Sequence, residues 1–483
     1  MKAFKKSRYN IIFSHDNARY LFNTFTGSFQ PLSDNLYRLY NRWGQVNPGI
    51  HAEEDGIHHL VNMGALVEEG FDELAFLKKI RYRENSMEAI TQLAFWLMTT
   101  ERCNFRCFYC FEDREKRRDI SYTGNDFISF LEKFPALNRI NMTWFGGEPL
   151  LNMSPIKELT GKAYDYSREK GIFYHAGMIT NGFLLTPAIV KRLKEWHITF
   201  VQITLDGPPD IYEQYKSVQG AFRTVLDNLY HLAEDREVFL RINLDKNNTR
   251  TMPELFNIMA ARGFRNISIN FAPITESVPD GEAFSPWTAS CFTSEEFGAA
   301  EKELYDILYN LGYEKWQLPE KGARIAFCGG ASSHFYTVGV TGVLYRCSHL
   351  CGGQHEIAGS VQEGILPEAF THAWLKEYRS LPSSCDACDF LPQCQGGCPY
   401  SREHQSSQGE NCISSRYNLI GRLTSMLTQA KRHNRDIFVH RSTQEQVDLL
   451  TRMSRGAVLN RHDLKTAALA GGGLGMLLAR AGE

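Results

Sequence analysis

The 483-residue chain lacks any long hydrophobic run. Its most apolar stretch, 466–481, is too short to span a bilayer and carries three consecutive glycines. It also lacks an excess of either charge: 53 Lys and Arg stand against 55 Asp and Glu. That balance removes the electrostatic case for nucleic acid or an anionic membrane as partner. The opening residues, Met1-Lys2-Ala3-Phe4-Lys5-Lys6, lead into polar sequence without the apolar core of a secretory signal. A cytoplasmic location is therefore expected. No internal repeat is visible beyond strand–helix units. What the chain does have is cysteine, twelve in all. Disulfides are disfavoured in a reducing compartment, and clustered cysteines there point to metal.

Length implies two or three domains. In the first, 1–88, apolar stretches at 9–13 and 20–25 read as paired strands with a turn at 14–17. Helical patterns follow at 36–43 and 57–63, and Gly64-Ala65-Leu66-Val67 resembles the return strand of a winged helix. A small structural domain and a peptide-recognition module are both open on these residues. From 89 to 276, strands read at 93–100, 140–145, 173–180, 200–205, 238–244 and 267–273. Amphipathic helices alternate with them at 126–134, 155–170, 187–196, 221–233 and 253–262. Alternation implies parallel strands with right-handed crossovers. Six units predict an α/β fold of the open, partial (β/α)6 barrel kind, with chemistry at the carboxyl ends of the strands. The remainder, 277–415, holds nine cysteines, and 416–483 reads as a helical extension.

Directly after the first predicted strand stands Cys103-Asn104-Phe105-Arg106-Cys107-Phe108-Tyr109-Cys110. Three thiolates in one short loop can hold three irons of a [4Fe–4S] cube and leave the fourth open. Zinc would want a fourth Cys or His close by, and none is near. Gly146-Gly147-Glu148-Pro149 follows the second strand. Its glycines permit close backbone approach and Glu148 offers an acceptor for an ammonium group. Alone it could be any turn.

Together these segments resemble the radical S-adenosylmethionine (SAM) enzymes, whose cysteine motif carries an aromatic residue just before its last cysteine, here Tyr109. The resemblance implies that Cys103, Cys107 and Cys110 bind the cluster and that the open iron chelates the methionine end of SAM. Reductive cleavage of the sulfonium then yields a 5′-deoxyadenosyl radical that abstracts hydrogen. It further implies that Gly146, Gly147, Glu148 and Pro149 hold the methionine amino group, and that Asn181 and Thr204 stand beside the ribose and carboxylate. Lys216 occupies a place where related enzymes often have Arg, and it cannot supply the same bidentate fork. Asn243 reads equally as a site residue or a strand-terminal turn.

The second cysteine set is Cys385-x₂-Cys388-x₅-Cys394-x₃-Cys398-x₁₃-Cys412, with Cys328 and Cys347 upstream. A zinc ribbon is the rival on spacing, but seven cysteines exceed one zinc site. The pattern resembles the SPASM extension, which implies two auxiliary [4Fe–4S] clusters and so three in all. Carried over, Cys385, Cys388, Cys394 and Cys412 would ligate the distal one, and Cys328, Cys347 and Cys398 the nearer one. For the latter's fourth ligand Cys351 and an open iron are the alternatives. Cys291 reads as a plain thiol.

SPASM enzymes mostly act on peptides and proteins. Anaerobic sulfatase maturases share the Leu205-Asp206-Gly207-Pro208 segment, yet they place a catalytic Asp where this chain has Ser348. Maturases of ribosomally made peptides often begin with a winged-helix element that binds a leader peptide as an added strand. The resemblance thus implies a precursor-peptide maturase with an electron donor such as ferredoxin or flavodoxin. The alternatives are a sulfatase maturase making formylglycine, a small-molecule enzyme of the same superfamily, and a zinc-stabilised peptide-binding protein. No catalytic side chain is singled out.

Overall fold

The computed structural model describes residues 3–43, 54–84, 90–112, 117–264, 267–275, 290–313, 322–353, 356–370, 380–404 and 412–454. The apolar stretch at 466–481 lies outside them.

The N-terminal part pairs β1 (Phe4–Lys6) with β5 (Leu66–Glu68), antiparallel, so the expected return strand is present. Between them β2 (Asn10–His15), β3 (Ala18–Asn23) and β4 (Phe29–Pro31) form a three-stranded antiparallel sheet. The β2–β3 turn is made by Asp16 and Asn17, both left-handed (φ 47° and 62°), conformations that Asp and Asn tolerate best among side-chain-bearing residues. Helices α1 (Asp34–Arg42), α2 (Glu54–Asn62) and α3 (Glu73–Glu84) complete the unit. Ser33 caps α1 by accepting from the Leu36 amide.

The central part carries six parallel strands in consecutive order: β6 (Gln92–Met98), β7 (Arg139–Phe145), β8 (Phe173–Thr180), β9 (Ile198–Thr204), β10 (Val238–Leu244) and β11 (Ile267–Pro273). Their helices are α4 (Gly124–Leu131), α5 (Met153–Lys170), α6 (Pro187–Glu195), α7 (Pro209–Lys216), α8 (Ala221–Asp235) and α9 (Met252–Ala261). Alternate strand residues, such as Ile140, Met142 and Trp144, or Leu240 and Ile242, join one apolar core with the helices. The other face bears Asn141, Thr143, Arg241 and Asn243 instead. This is the expected α/β arrangement of a partial barrel.

Two features extend it. Helix α10 (Ser294–Asn310), with a Thr293–Glu296 capping box, adds Phe297, Leu304 and Leu308 to the barrel core. The sheet also continues beyond β6: β12 (Phe335–Val338) pairs with it in parallel, followed by β13 (Val343–Tyr345), β14 (Ile357–Ser360) and β15 (Gly364–Ile365). Ten strands form one sheet, so the cysteine-rich part is grafted directly onto the barrel's first strand.

The N-terminal part docks on the C-terminal part. Phe13, Phe22 and Phe29 pack against Leu419, Leu423 and Leu427 of the helix Ser415–His433. Tyr9, Phe25, Leu77 and Ile80 pack against Leu391 and Leu450. Leu423 is fully buried at the first of these contacts. Leu423→Ala is expected to cost about 2–5 kcal/mol in a urea denaturation experiment. Limited proteolysis of that variant should cut the N-terminal part before the barrel.

Candidate radical site and cysteine groups

The cysteine loop leaves β6 and is held from three sides. Glu148 donates its amide to the Arg102 carbonyl at 2.9 Å. Gly146 and Gly147 are left-handed (φ 85° and 42°), and a Cβ on Gly147 would overlap that same carbonyl. From the next loop, Asn181 donates its side-chain amide to Asn104 Oδ1 at 2.8 Å and reaches Cys103 Sγ at 4.0 Å. From α7, the Lys216 and Tyr215 carbonyls accept the amides of Arg106 (3.0 Å) and Phe108 (3.3 Å). Phe108 also meets the Tyr215 ring edge-on. The three cysteines thereby lie at the carboxyl end of the parallel strands, where the sequence places them.

Their chemistry suits a cluster. Burial pushes the Cys103 thiol up to about 11 and Cys110 up to about 12; each is raised further by Cys107. Such thiols ionise when a metal replaces the proton. Among the described residues no three Cys, His, Asp or Glu side chains are gathered tightly enough for one metal ion. A cube of four irons spreads its thiolates more widely than a single ion does.

Glu148 is fully buried. Its carboxylate accepts from Thr180 Oγ1 (2.8 Å), the Asn181 amide (2.8 Å) and the Leu150 amide (3.0 Å). Burial holds its pKa up to about 7 against those three hydrogen bonds. A carboxylate accepts about four, so one acceptor site is left. Glu112 is a second buried acid beside it. It accepts from the Gly147 amide at 2.5 Å, and burial lifts it to about 7. Sequence reading passed over Glu112; the signal was an acid two residues beyond Cys110.

Tyr109, Lys216 and Asn243 meet at Asp206. Asp206, fully buried, pairs with Lys216 Nζ at 2.5 Å and accepts from the Tyr109 hydroxyl and the Asn243 amide (2.7 Å). Asn243 Nδ2 donates to the Tyr109 oxygen at 3.2 Å. Burial opposes the Lys216 charge, yet Asp206 overrides it and holds the pKa above the usual lysine value. Lys216 is thus engaged by Asp206 and lies 2.5 Å from the Tyr109 oxygen. Thr204 ends β9, its carbonyl 3.5 Å from the Tyr212 hydroxyl. Pro149 begins a 3₁₀ turn beneath Glu148.

The remaining cysteines divide into two neighbourhoods. Burial lifts the thiols of Cys328, up to about 12, and Cys347; Cys398 lies close enough to add to both. Cys347 and Cys398 also pack against Tyr400. Cys385 lies near Cys388 and Cys412, and Cys394 near Cys412 and Cys385; burial raises Cys385 and lifts Cys394 to about 11. Both groupings follow the sequence partition. Cys351 faces elsewhere: its charged neighbours are Glu112, Cys347 and Glu101, and it packs against Met98, Phe145 and Val340. It lines a small cleft with Glu112, Ser348, Phe111 and Met98. His349 lies between the rings of Phe111 and Tyr400 beside that cleft. Cys291 belongs to neither group.

Breaking the buried pair tests this geometry. Lys216→Met leaves Asp206 without its cation and is expected to cost about 3–5 kcal/mol in thermal or chemical unfolding. Adding Asp206→Asn should restore part of that loss, and the two effects should not be additive.

Comparison with known proteins agrees with the geometry. The profile of the Radical SAM superfamily matches residues 97–259. The chain is 32% identical over 171 residues to Fe-coproporphyrin III synthase of Methanosarcina barkeri, covering 34% of this chain and 40% of that protein. It is 23% identical over 347 residues to the cysteine-type anaerobic sulfatase-maturating enzyme of Clostridium novyi, covering 65% of this chain and 89% of that protein. Among solved structures, native anSMEcpe with bound AdoMet and Cp18Cys peptide superposes with a TM-score of 0.50 at 16% identity, over 71% of this chain and 98% of the other, a likeness of fold. The first relative is thus matched over less than half its length. No described helix is long and apolar enough to cross a membrane. The parallel half-barrel and the three-cysteine loop at its strand ends thus coincide with the match to the Radical SAM superfamily at residues 97–259, and the chain carries a radical SAM domain similar to that of sulfatase-maturating enzymes.

Proposed function

We propose that the chain is a peptide maturase that removes a hydrogen atom from a residue of a ribosomally made precursor and so installs a crosslink or related oxidation. When bound at Cys103, Cys107 and Cys110, the cluster and SAM would supply the electron and the 5′-deoxyadenosyl radical for that abstraction. The chain's own residues position the reactants. The last acceptor site of Glu148 takes the methionine ammonium, and the glycines before it let the backbone lie close. Tyr109 is held by Asp206, Lys216 and Asn243, which fixes the loop carrying Cys107 and Cys110. The small cleft beside Glu112, Ser348 and Cys351 marks where a substrate would approach. The two further cysteine groups are read as auxiliary cluster sites of the SPASM type, Cys351 being left as a cleft residue or fourth ligand.

The observation that favours a precursor peptide over a sulfatase is the N-terminal part. The sulfatase-maturase alignment accounts for 89% of that relative but only 65% of this chain. The N-terminal part offers a β-sheet unit suited to strand addition. Ser348, at the cleft, is also a poorer base than the Asp that sulfatase maturases are expected to carry. The proposed domains are 1–88 for leader recognition, 89–276 for the barrel, 277–415 for the auxiliary sites and 416–483 as the extension. An electron donor of the ferredoxin or flavodoxin class completes the system.

Reduced, reconstituted enzyme with SAM and the precursor encoded beside it should yield a mass change in the peptide. No change, with formylglycine formed on a sulfatase peptide instead, overturns this choice. Protein purified anaerobically with zinc and no acid-labile sulfide overturns the enzyme reading itself.

SAM affinity carries a second test. Glu148 and Glu112 are protonated below about pH 7 in the free protein. Only the carboxylate attracts an ammonium group, so affinity should rise as pH passes from 6 to 8 and then level off. Glu148→Gln should weaken SAM binding about tenfold to a hundredfold at pH 8, the loss of one charged hydrogen bond. Its pH slope should also flatten, which isothermal titration at several pH values would show.

A further inference from the structure

The four-cysteine group at 385–412 does not stand alone in the C-terminal part. The N-terminal unit closes over it. Arg81 of α3 is buried (2% exposed) and donates through Nη1 to the Gln395 carbonyl, the residue after Cys394. Its guanidinium nitrogens lie 3.5 Å from where a Cβ on Gly396 would stand. Lys78, one turn earlier on α3, pairs with Asp386 at 2.8 Å, between Cys385 and Cys388. Arg8 donates to the Asp386 carbonyl and Thr24 to the Asp389 carbonyl. Cys385 itself packs into the apolar cluster of Tyr9, Phe25, Leu77 and Ile80.

The charge pattern leans positive. Arg81 and Arg402 both act on Cys385, and Arg416 Nη1 contacts Cys412 Sγ at 3.0 Å. With Arg8 and Lys78 that makes five cations among the described residues, with Asp386 and Asp389 beside the cysteines and Glu73 and Asp72 behind Arg8. Three of the five come from the N-terminal unit. Apolar packing does not need such an array, whereas a four-thiolate cluster does: it is anionic, and reduction adds another negative charge. Net charge and contacts to the sulfurs set cluster potentials.

We propose that the N-terminal unit is part of the distal cluster's electrostatic shell, and that Arg81 raises that cluster's reduction potential from across the domain boundary. Arg81 acts here as a positioning residue, through charge and through its grip on the Gln395 turn. The site is therefore finished only when the N-terminal unit is docked. The proposal rests on reading Cys385, Cys388, Cys394 and Cys412 as a cluster site.

The experiment uses the full-length, anaerobically reconstituted protein. Iron and sulfide are counted first in Cys388→Ser/Cys412→Ser; a fall of one cluster's worth supports the site, and no fall overturns the site reading itself. The electron paramagnetic resonance signal missing from that variant identifies the distal cluster. Its midpoint is then titrated in wild type, Arg81→Gln, Arg81→Lys and Lys78→Gln. Arg81→Gln should keep its iron and make reduction about tenfold less favourable, about 59 mV lower for a one-electron couple. Arg81→Lys should stay near wild type. Lys78→Gln, more exposed, should shift the same way by less, and it decides the matter if Arg81→Gln does not fold. Unchanged midpoints with full iron in the Gln variants overturn the proposal.

Discussion

The architecture depends on one short loop whose backbone is held by other parts of the barrel. The segment from Arg102 to Cys110 has no regular structure of its own. Its carbonyls and amides are satisfied by Glu148, Lys216 and Tyr215, which arrive from two other strand ends. A buried polar group left without a partner costs on the order of 1–3 kcal/mol, so the loop and those strand ends must form together. The Asp206–Lys216–Tyr109 arrangement serves the same end. It ties the aromatic residue between Cys107 and Cys110 to β9, α7 and β10 at once.

Much of this was legible in the chain. The six strands of the barrel are short, largely apolar stretches alternating with amphipathic helices; 238–244 and 267–273 coincide with the observed strands. The Cys103–Cys110 trio was legible because its thiols share one short loop, whereas the division of the later cysteines came only with the family resemblance. Glu148 and Gly147 stood out because they follow the second strand, downstream of the three-cysteine loop. What stayed hidden depends on contacts distant in sequence. Strand β12 has only four residues, and its identity as a neighbour of β6 is set by pairing with residues about 240 positions earlier. Helix α7 follows Gly207-Pro208, which reads as a turn, and its start at Pro209 was masked by that signal. Glu112 looked like one acid among many until burial and the Gly147 amide gave it a neighbourhood.

The N-terminal unit was readable as strands and helices but not in its placement. Nothing in the pattern of Phe13, Phe22 and Phe29 says that their partners are Leu419, Leu423 and Leu427. Their alternation marks one apolar face, and any apolar surface would cover it. The polar contacts choose the partner: Lys78 with Asp386, and Arg81 with the Gln395 carbonyl, require one docking angle. Apolar burial thus supplies the attraction, while charge and hydrogen bonding supply the register.

That docking has a consequence for synthesis. The N-terminal unit leaves the ribosome long before the helix Ser415–His433 that covers its aromatic face. Roughly 390 residues separate Phe29 from Leu419, which at about 5–20 residues per second is a delay of about 20–80 s. During it the aromatic face of the nascent unit is uncovered, while the barrel between the two ends can already collapse on its own core. An aromatic face left open that long is a place where unfinished chains can adhere to one another.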